Sequence, residues 1–206
     1  MSRVSPDVWR KTFITPFDDM PLTIPNLLTW ARILLIPLVV GVYYLPLPLG
    51  EQNFIATAAF LVAAVTDWID GWLARKLNQM SAFGAFLDPV ADKLMVAAAL
   101  VMLVKLDRAD AILAFIIIGR EIAISALREW MASIGAAKSV AVSMIGKLKT
   151  IAQMTAIPML LWHAPLGPLD VVLLGTVALW IAALLTLWSM GYYLRKAWPE
   201  ISARSR

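Results

Sequence analysis

Six long apolar stretches alternate with short polar ones, at about 27–49, 54–75, 84–105, 110–131, 144–163 and 168–194. The separators PLPLGEQN, KLNQMSAF, KLDRAD, SIGAAKS and HAPLGP carry the proline, glycine or charge that interrupts helices. A membrane-crossing helix needs about 20 residues. The uncharged runs Phe54–Thr66, Leu94–Val104 and Ala111–Gly119 fall well short of that. They reach spanning length only if Asp67–Arg75, Gly84–Lys93 and Arg120–Arg128 are helical too, and the fifth stretch likewise takes in Lys147 and Lys149. The pattern predicts an all-α integral membrane protein of six transmembrane helices, four of which turn polar over part of their length. Ionisable groups at that depth face a cavity or each other.

Composition sharpens this picture. Hydrophobic residues make up 61% of the 206-residue chain, against roughly 45–50% in soluble domains, and mean hydropathy is +0.77. Trp162, Tyr192, Tyr193 and Trp198 are expected at the membrane interfaces. Residues 56–64 (ATAAFLVAA) read as a close helix-packing surface. The chain has no cysteine, which excludes disulfides, zinc thiolates and a thiol nucleophile. Residues 1–22 contain no secretory apolar core; Val8, Trp9, Phe13 and Phe17 predict a short interfacial helix there. The whole chain, 1–206, reads as one membrane-embedded domain ending in a polar tail at 195–206.

Charge gives the orientation. Arg3, Arg10, Lys11, Arg75, Lys76, Lys93, Arg120, Arg128, Lys138, Lys147, Lys149, Arg195, Lys196, Arg204 and Arg206 all lie near alternate ends of the helices, and the opposite ends hold only Lys105 and Arg108. The positive-inside rule puts both termini, and every polar helix portion, on the cytoplasmic side. The net charge of +4 is spread over loops rather than gathered into a stripe, which argues against nucleic acid as a partner.

The most unusual polar portion is TDWIDGWLARKLNQMSAFGAFLDPVADK, residues 66–93. With 54–75 and 84–105 as an antiparallel hairpin, Asp67 stands level with Asp92, and Asp70 with Asp88. Spacings of three (Asp67, Asp70) and four (Asp88, Asp92) put each pair on one helix face. Gly71, Ala74 and Gly84 continue those faces with small side chains, leaving room for a ligand. Four carboxylates at low dielectric need compensation. All-oxygen aspartate ligation suits Mg²⁺ or Mn²⁺ rather than zinc, and four carboxylates suit two ions, a common device in phosphoryl transfer. The plainer alternative is a solvated loop in which the aspartates pair with Arg75, Lys76 and Lys93.

The string Asp67-x₂-Asp70-Gly71-x₂-Ala74-Arg75-x₈-Gly84-x₃-Asp88-x₃-Asp92 resembles the signature of the CDP-alcohol phosphatidyltransferases at every motif position. Residues 24–40, 119–130 and 139–154 add to the resemblance, which points to bacterial members of the family. It implies six transmembrane helices in the cytoplasmic (inner) membrane, a cytoplasm-facing site, two divalent ions and a homodimer. It also implies transfer of the phosphatidyl group of CDP-diacylglycerol to sn-glycerol 3-phosphate with release of CMP. Carried over by motif, Asp67, Asp70, Asp88 and Asp92 hold the metals, and Asp92 is the candidate base, with Asp88 beside it in the catalytic set. Asp70, Gly71, Ala74, Arg75 and Gly84 border the CDP group.

An acceptor phosphate needs cations. Arg120 and Arg128, eight apart on one helix face, are the first candidates, followed by Lys147 and Lys149. The competing explanation is that these charges only set topology. Arg32, inside the first apolar stretch, is expected either to contact phosphate or to pair with Glu121. His163, the sole histidine, is expected in an outer loop away from the aspartates. Two other classes share some of these features. Intramembrane prenyltransferases also grip diphosphate through aspartates, and cation transporters also bury carboxylates. Neither releases CMP.

Overall fold

Helix ends in this chain are set by identifiable local chemistry. In the computed structural model the backbone is described for residues 24–77, 82–136 and 144–204; side chains are described there except at 24–26, 70–75, 77, 82, 83, 85, 203 and 204. Six α-helices follow one another in this part: α1 (Ile24–Gly41), α2 (Leu49–Leu77), α3 (Ala82–Lys105), α4 (Ala111–Ser133), α5 (Met144–Trp162) and α6 (Val171–Arg204). A single 3-10 turn, Val42–Tyr44, follows α1. The interfacial helix expected in 1–22 and the basic residue Lys138 lie outside the described residues.

Several boundaries differ from the sequence expectation, among them the end of α1, at Gly41 rather than near 49. Helix α2 starts at Leu49 rather than near 54, because the Pro48 carbonyl accepts the Glu51 and Gln52 N–H groups at 3.0 and 3.1 Å. Gln52 and Asn53 are therefore helical and buried. Gln52 Nε2 donates to the Leu45 carbonyl at 2.9 Å, and Tyr43 Oη donates to Asn53 Oδ1 at 3.4 Å. Helix α6 continues past 194 to Arg204, so most of the expected tail is helical. Ala197 and Ile201 explain the extension, since both pack into an apolar cluster with Ile124, Met131 and Tyr193.

Elsewhere local side chains and a glycine set the helix ends. Asp110 Oδ1 accepts the Ile112 N–H at 2.7 Å and starts α4. At its other end Gly135 has φ 78°, the Gly135 N–H reaches the Ala132 carbonyl and the Ala136 N–H reaches Met131, a left-handed glycine stop. Asp170 accepts from Leu173 N at 2.9 Å in the first turn of α6.

The main core joins all six helices through residues such as Val39, Phe60, Leu100, Ile117, Leu160 and Leu179. Ala56, Ala59 and Ala63 are buried in it, as the small-residue pattern predicts. Helices α5 and α6 form the most extensive pair, and Gly175 allows it: a Cβ there would come within 3.0 Å of the Leu160 and Met159 side chains. Helix α1 packs against both α2 and α3, which touch each other far less. The expected α2–α3 hairpin is thus mediated by α1, with consequences for the aspartates.

Among the described residues, three helices are long and apolar enough to cross a membrane, over Leu27–Tyr44, Leu49–Ile69 and Val171–Ser202. Helices α3, α4 and α5 carry the charges already noted. Large apolar side chains face outward on these helices as well, among them Phe115, Ile122, Leu148 and Ile151. Contiguous exposed apolar surface of this kind suits lipid rather than water.

Candidate active site

A cavity of about 380 Å³ lies between α2, α3, α4 and α5. Asp67, Asp88 and Asp92 line one side, and Arg120 and Arg128 line another, with Glu121, Ser125, Thr150 and Gln153 completing the polar surface. The helical register explains the grouping. Asp88 and Asp92 are one turn apart on α3, while Arg120, Ile124 and Arg128 repeat every four residues along α4. Pro89, also in the lining, has no N–H to return to the carbonyl four residues earlier, which loosens the α3 backbone beside the carboxylates.

Two of the motif's described carboxylates have identified partners. Arg32, 1% exposed, lies 2.8 Å from Asp67 Oδ1. Thr29 Oγ1 donates to Asp88 Oδ1 at 2.5 Å. Both partners come from α1, one turn apart, so that helix orients the aspartates of its two neighbours. Arg32 therefore pairs with Asp67, not with Glu121; the packing of α1 between α2 and α3 decides the matter. Asp70, Gly71, Ala74 and Arg75 lie on the later turns of α2, where side chains are outside the described set. Gly84 is buried on α3, one turn before Asp88.

On the opposite side the cations divide. Arg120 is 7% exposed; its Nη2 donates to Ser189 Oγ at 3.0 Å and its Nη1 lies 3.5 Å from Glu121 Oε2. The Nε of Arg120 and that of Arg128 are buried and have no hydrogen-bond partner. Both guanidinium groups sit near one aromatic ring, Tyr193, at 5.7 and 5.0 Å from its centroid. Tyr193 is fully buried, which corrects its expected place at the interface. The correction has a physical source: a phenol ring can shelter two guanidinium groups through its negative face. Trp180, Trp188 and Trp198 remain exposed.

Lys149 is buried and forms an ion pair with Glu121, so its charge is already engaged. Lys147 is exposed and does not line the cavity. His163 is exposed in the α5–α6 loop, away from the aspartates, as expected. Sequence reasoning did not pick out Thr29, Ser189 or Gln153. Gln153 had a readable signal, since it stands one turn after Lys149 on the same face of α5. Thr29 and Ser189 had none, because each is defined only by a residue on another helix.

Whether the aspartates suit divalent ions can be judged from their chemistry. Three motif carboxylates share one cavity, each offering only oxygen as a ligand atom, and two of the three are oriented by outer partners, as metal ligands commonly are. Among the described residues no three acidic or histidine side chains converge tightly enough to hold an ion by themselves. The donor set fits Mg²⁺ or Mn²⁺, with Asp70 the fourth ligand expected from the motif.

Residues 22–188 match the family described as CDP-alcohol phosphatidyltransferase. The chain belongs to that family. It is 51% identical over 184 residues to the CDP-diacylglycerol–glycerol-3-phosphate 3-phosphatidyltransferases of Shigella flexneri serotype 5b (strain 8401) and Escherichia coli (strain K12). Each alignment covers 88% of this chain and 98% of the relative. Membership separates the chain from intramembrane prenyltransferases and cation transporters.

Proposed function

We propose that this protein transfers the phosphatidyl group of CDP-diacylglycerol to sn-glycerol 3-phosphate, giving phosphatidylglycerophosphate and CMP. The observation that carries the reading is a single cavity with motif carboxylates on one side and two arginines, each with a buried and unpartnered Nε, on the other. One side suits a metal-bound diphosphate and the other a phosphate monoester. The relatives' name supplies the same pair of substrates.

The primary hydroxyl oxygen of glycerol 3-phosphate forms a bond to the lipid-linked phosphorus, and the bond from that phosphorus to the CMP oxygen breaks. Asp92 lies on the cavity surface and takes the hydroxyl proton. Arg120 and Arg128 hold the acceptor phosphate, and their shared contact with Tyr193 fixes them before the ligand arrives, so little reorganisation is needed. Arg32 and Thr29 keep Asp67 and Asp88 aimed. Lys149 acts through Glu121, holding it beside Arg120, rather than on phosphate. When bound at Asp67, Asp70, Asp88 and Asp92, two Mg²⁺ or Mn²⁺ ions supply neutralisation of the diphosphate and of the charge developing on CMP. Gly71, Ala74, Arg75 and Gly84 border the CDP group.

In this reading all six helices span the cytoplasmic membrane, both termini and the cavity face the cytoplasm, and two copies form a homodimer. The reaction is tested with purified protein, CDP-diacylglycerol, either metal and a panel of alcohols, by identifying the lipid product and CMP. Product formed with another alcohol but not with glycerol 3-phosphate would reassign the acceptor within the family. The orientation is tested separately, since the chain has no native cysteine. Lys76 and Asp107 are both exposed, near opposite ends of the helices. An impermeant maleimide should label Asp107→Cys in cells whose outer face alone is open, and Lys76→Cys only when the cytoplasmic face is opened. The reverse pattern overturns the topology.

A further inference from the structure

Gln153 raises a question that the phosphate and metal assignments leave unanswered. Its side chain is 2% exposed, it lines the cavity, and its Oε1 accepts no hydrogen bond. A buried carbonyl oxygen without a donor is costly, so such atoms are normally satisfied by protein, water or ligand. The neighbouring groups do not fill the role. Lys149, one turn earlier on α5, is engaged by Glu121, and Arg120 donates to Ser189 and Glu121.

The acceptor substrate has a donor to offer. Its phosphate carries oxygens that pair with the arginines, and its reacting hydroxyl must point to the lipid phosphorus on the carboxylate side. That leaves the middle hydroxyl, and Gln153 lines the same cavity as both sets of groups. We propose that Gln153 Oε1 accepts a hydrogen bond from the non-reacting secondary hydroxyl of the polyol phosphate and so determines which alcohols are used. The phosphate is fixed by the arginines and the middle carbon by Gln153. The remaining primary hydroxyl is then the one turned toward Asp92. An acceptor without the secondary hydroxyl would leave the buried oxygen unsatisfied as well as losing a bond, which is how polar sites reject deoxy analogues.

This inference rests on the phosphatidyl-transfer reading, and the test separates the two. CMP release by the unsubstituted protein with glycerol 3-phosphate tests that reading alone. The inference is tested by comparing glycerol 3-phosphate with 3-hydroxypropyl phosphate, which lacks only the secondary hydroxyl. The unsubstituted protein should favour glycerol 3-phosphate in kcat/KM by about 10- to 100-fold. Gln153→Met, similar in shape but without the acceptor oxygen, should bring that ratio to within about threefold, chiefly by slowing glycerol 3-phosphate. Gln153→Glu retains an acceptor oxygen and should restore most of the preference. Equal use of the two alcohols by the unsubstituted protein overturns the proposal, whether or not either variant folds. So does an undiminished ratio in Gln153→Met. A matched loss with both alcohols, accompanied by a raised KM for CDP-diacylglycerol, also overturns it, by placing Gln153 against the nucleotide.

Discussion

Two buried arginines in different parts of the molecule show what distinguishes a site from a cap. Arg108, in the α3–α4 loop, is 9% exposed, and Arg120, on α4, is 7% exposed. Arg108 Nη1 donates to the Leu160 and Leu161 carbonyls at 3.3 and 2.9 Å, closing the C-terminus of α5. Its charge meets the negative end of that helix and is used up in doing so. Burial lowers its pKa, and the neighbouring Tyr43 opposes the shift. Arg120 has polar contacts too, but its Nε has no partner and the side chain borders a cavity opposite three carboxylates. Burial of a cation is therefore not a functional signal by itself. The useful signal is donor capacity left over beside space that a ligand can enter.

The largest test of this contrast removes the carboxylates that give the Arg120 end its chemistry. EDTA should abolish CMP release, and Mg²⁺ or Mn²⁺ should restore it; full turnover in metal-free buffer would sink the dimetal assignment. Asp88→Ala should lose activity at any acceptor concentration. Asp67→Ala should do the same and also lower stability, because it removes a carboxylate 2.8 Å from the buried Arg32.

Next comes the comparison itself. Arg120→Ala should raise the KM for glycerol 3-phosphate, because a hydrogen bond to a charged group contributes about 1.5–3 kcal/mol, which corresponds to roughly 10- to 150-fold. Arg108→Ala should leave that KM unchanged and lower the thermal denaturation midpoint in detergent. If the two variants exchange these phenotypes, the acceptor site has been put at the wrong end.

Tyr193→Leu addresses the shared platform. Each desolvated cation–π contact contributes about 0.5–2 kcal/mol, so the KM for glycerol 3-phosphate should rise by roughly 2- to 30-fold, with the KM for CDP-diacylglycerol little changed. A variant with both constants unchanged would show that the ring does not position the arginines. The smallest effect is expected at Asp110→Ala, which removes only the α4 cap. Stability should fall by about 0.5–2 kcal/mol with kcat/KM intact, as read from parallel denaturation and activity curves.

Much of the site could be read from the chain because its key spacings are local. Asp67 with Asp70, Asp88 with Asp92, and Arg120 with Arg128 share faces through helical periodicity alone, and no knowledge of neighbouring helices is needed. Caps at Asp110 and Gly135 are equally local. The start of α2 was harder, since Gln52 and Asn53 look like loop residues until the Leu45 carbonyl and Tyr43 are seen to satisfy them.

The sequence by itself determined six helices, the acidic motif and its faces, the family, and the cationic stretch of α4. Tertiary structure alone decided which partners meet. Arg32 pairs with Asp67 because α1 packs against both α2 and α3. Lys149 is engaged by Glu121, Tyr193 lies beneath two guanidinium groups, and Gln153 borders the cavity. Each of these depends on how helices distant in sequence are rotated and offset against one another. That rotation is set by side-chain interdigitation over whole interfaces, which no local spacing encodes.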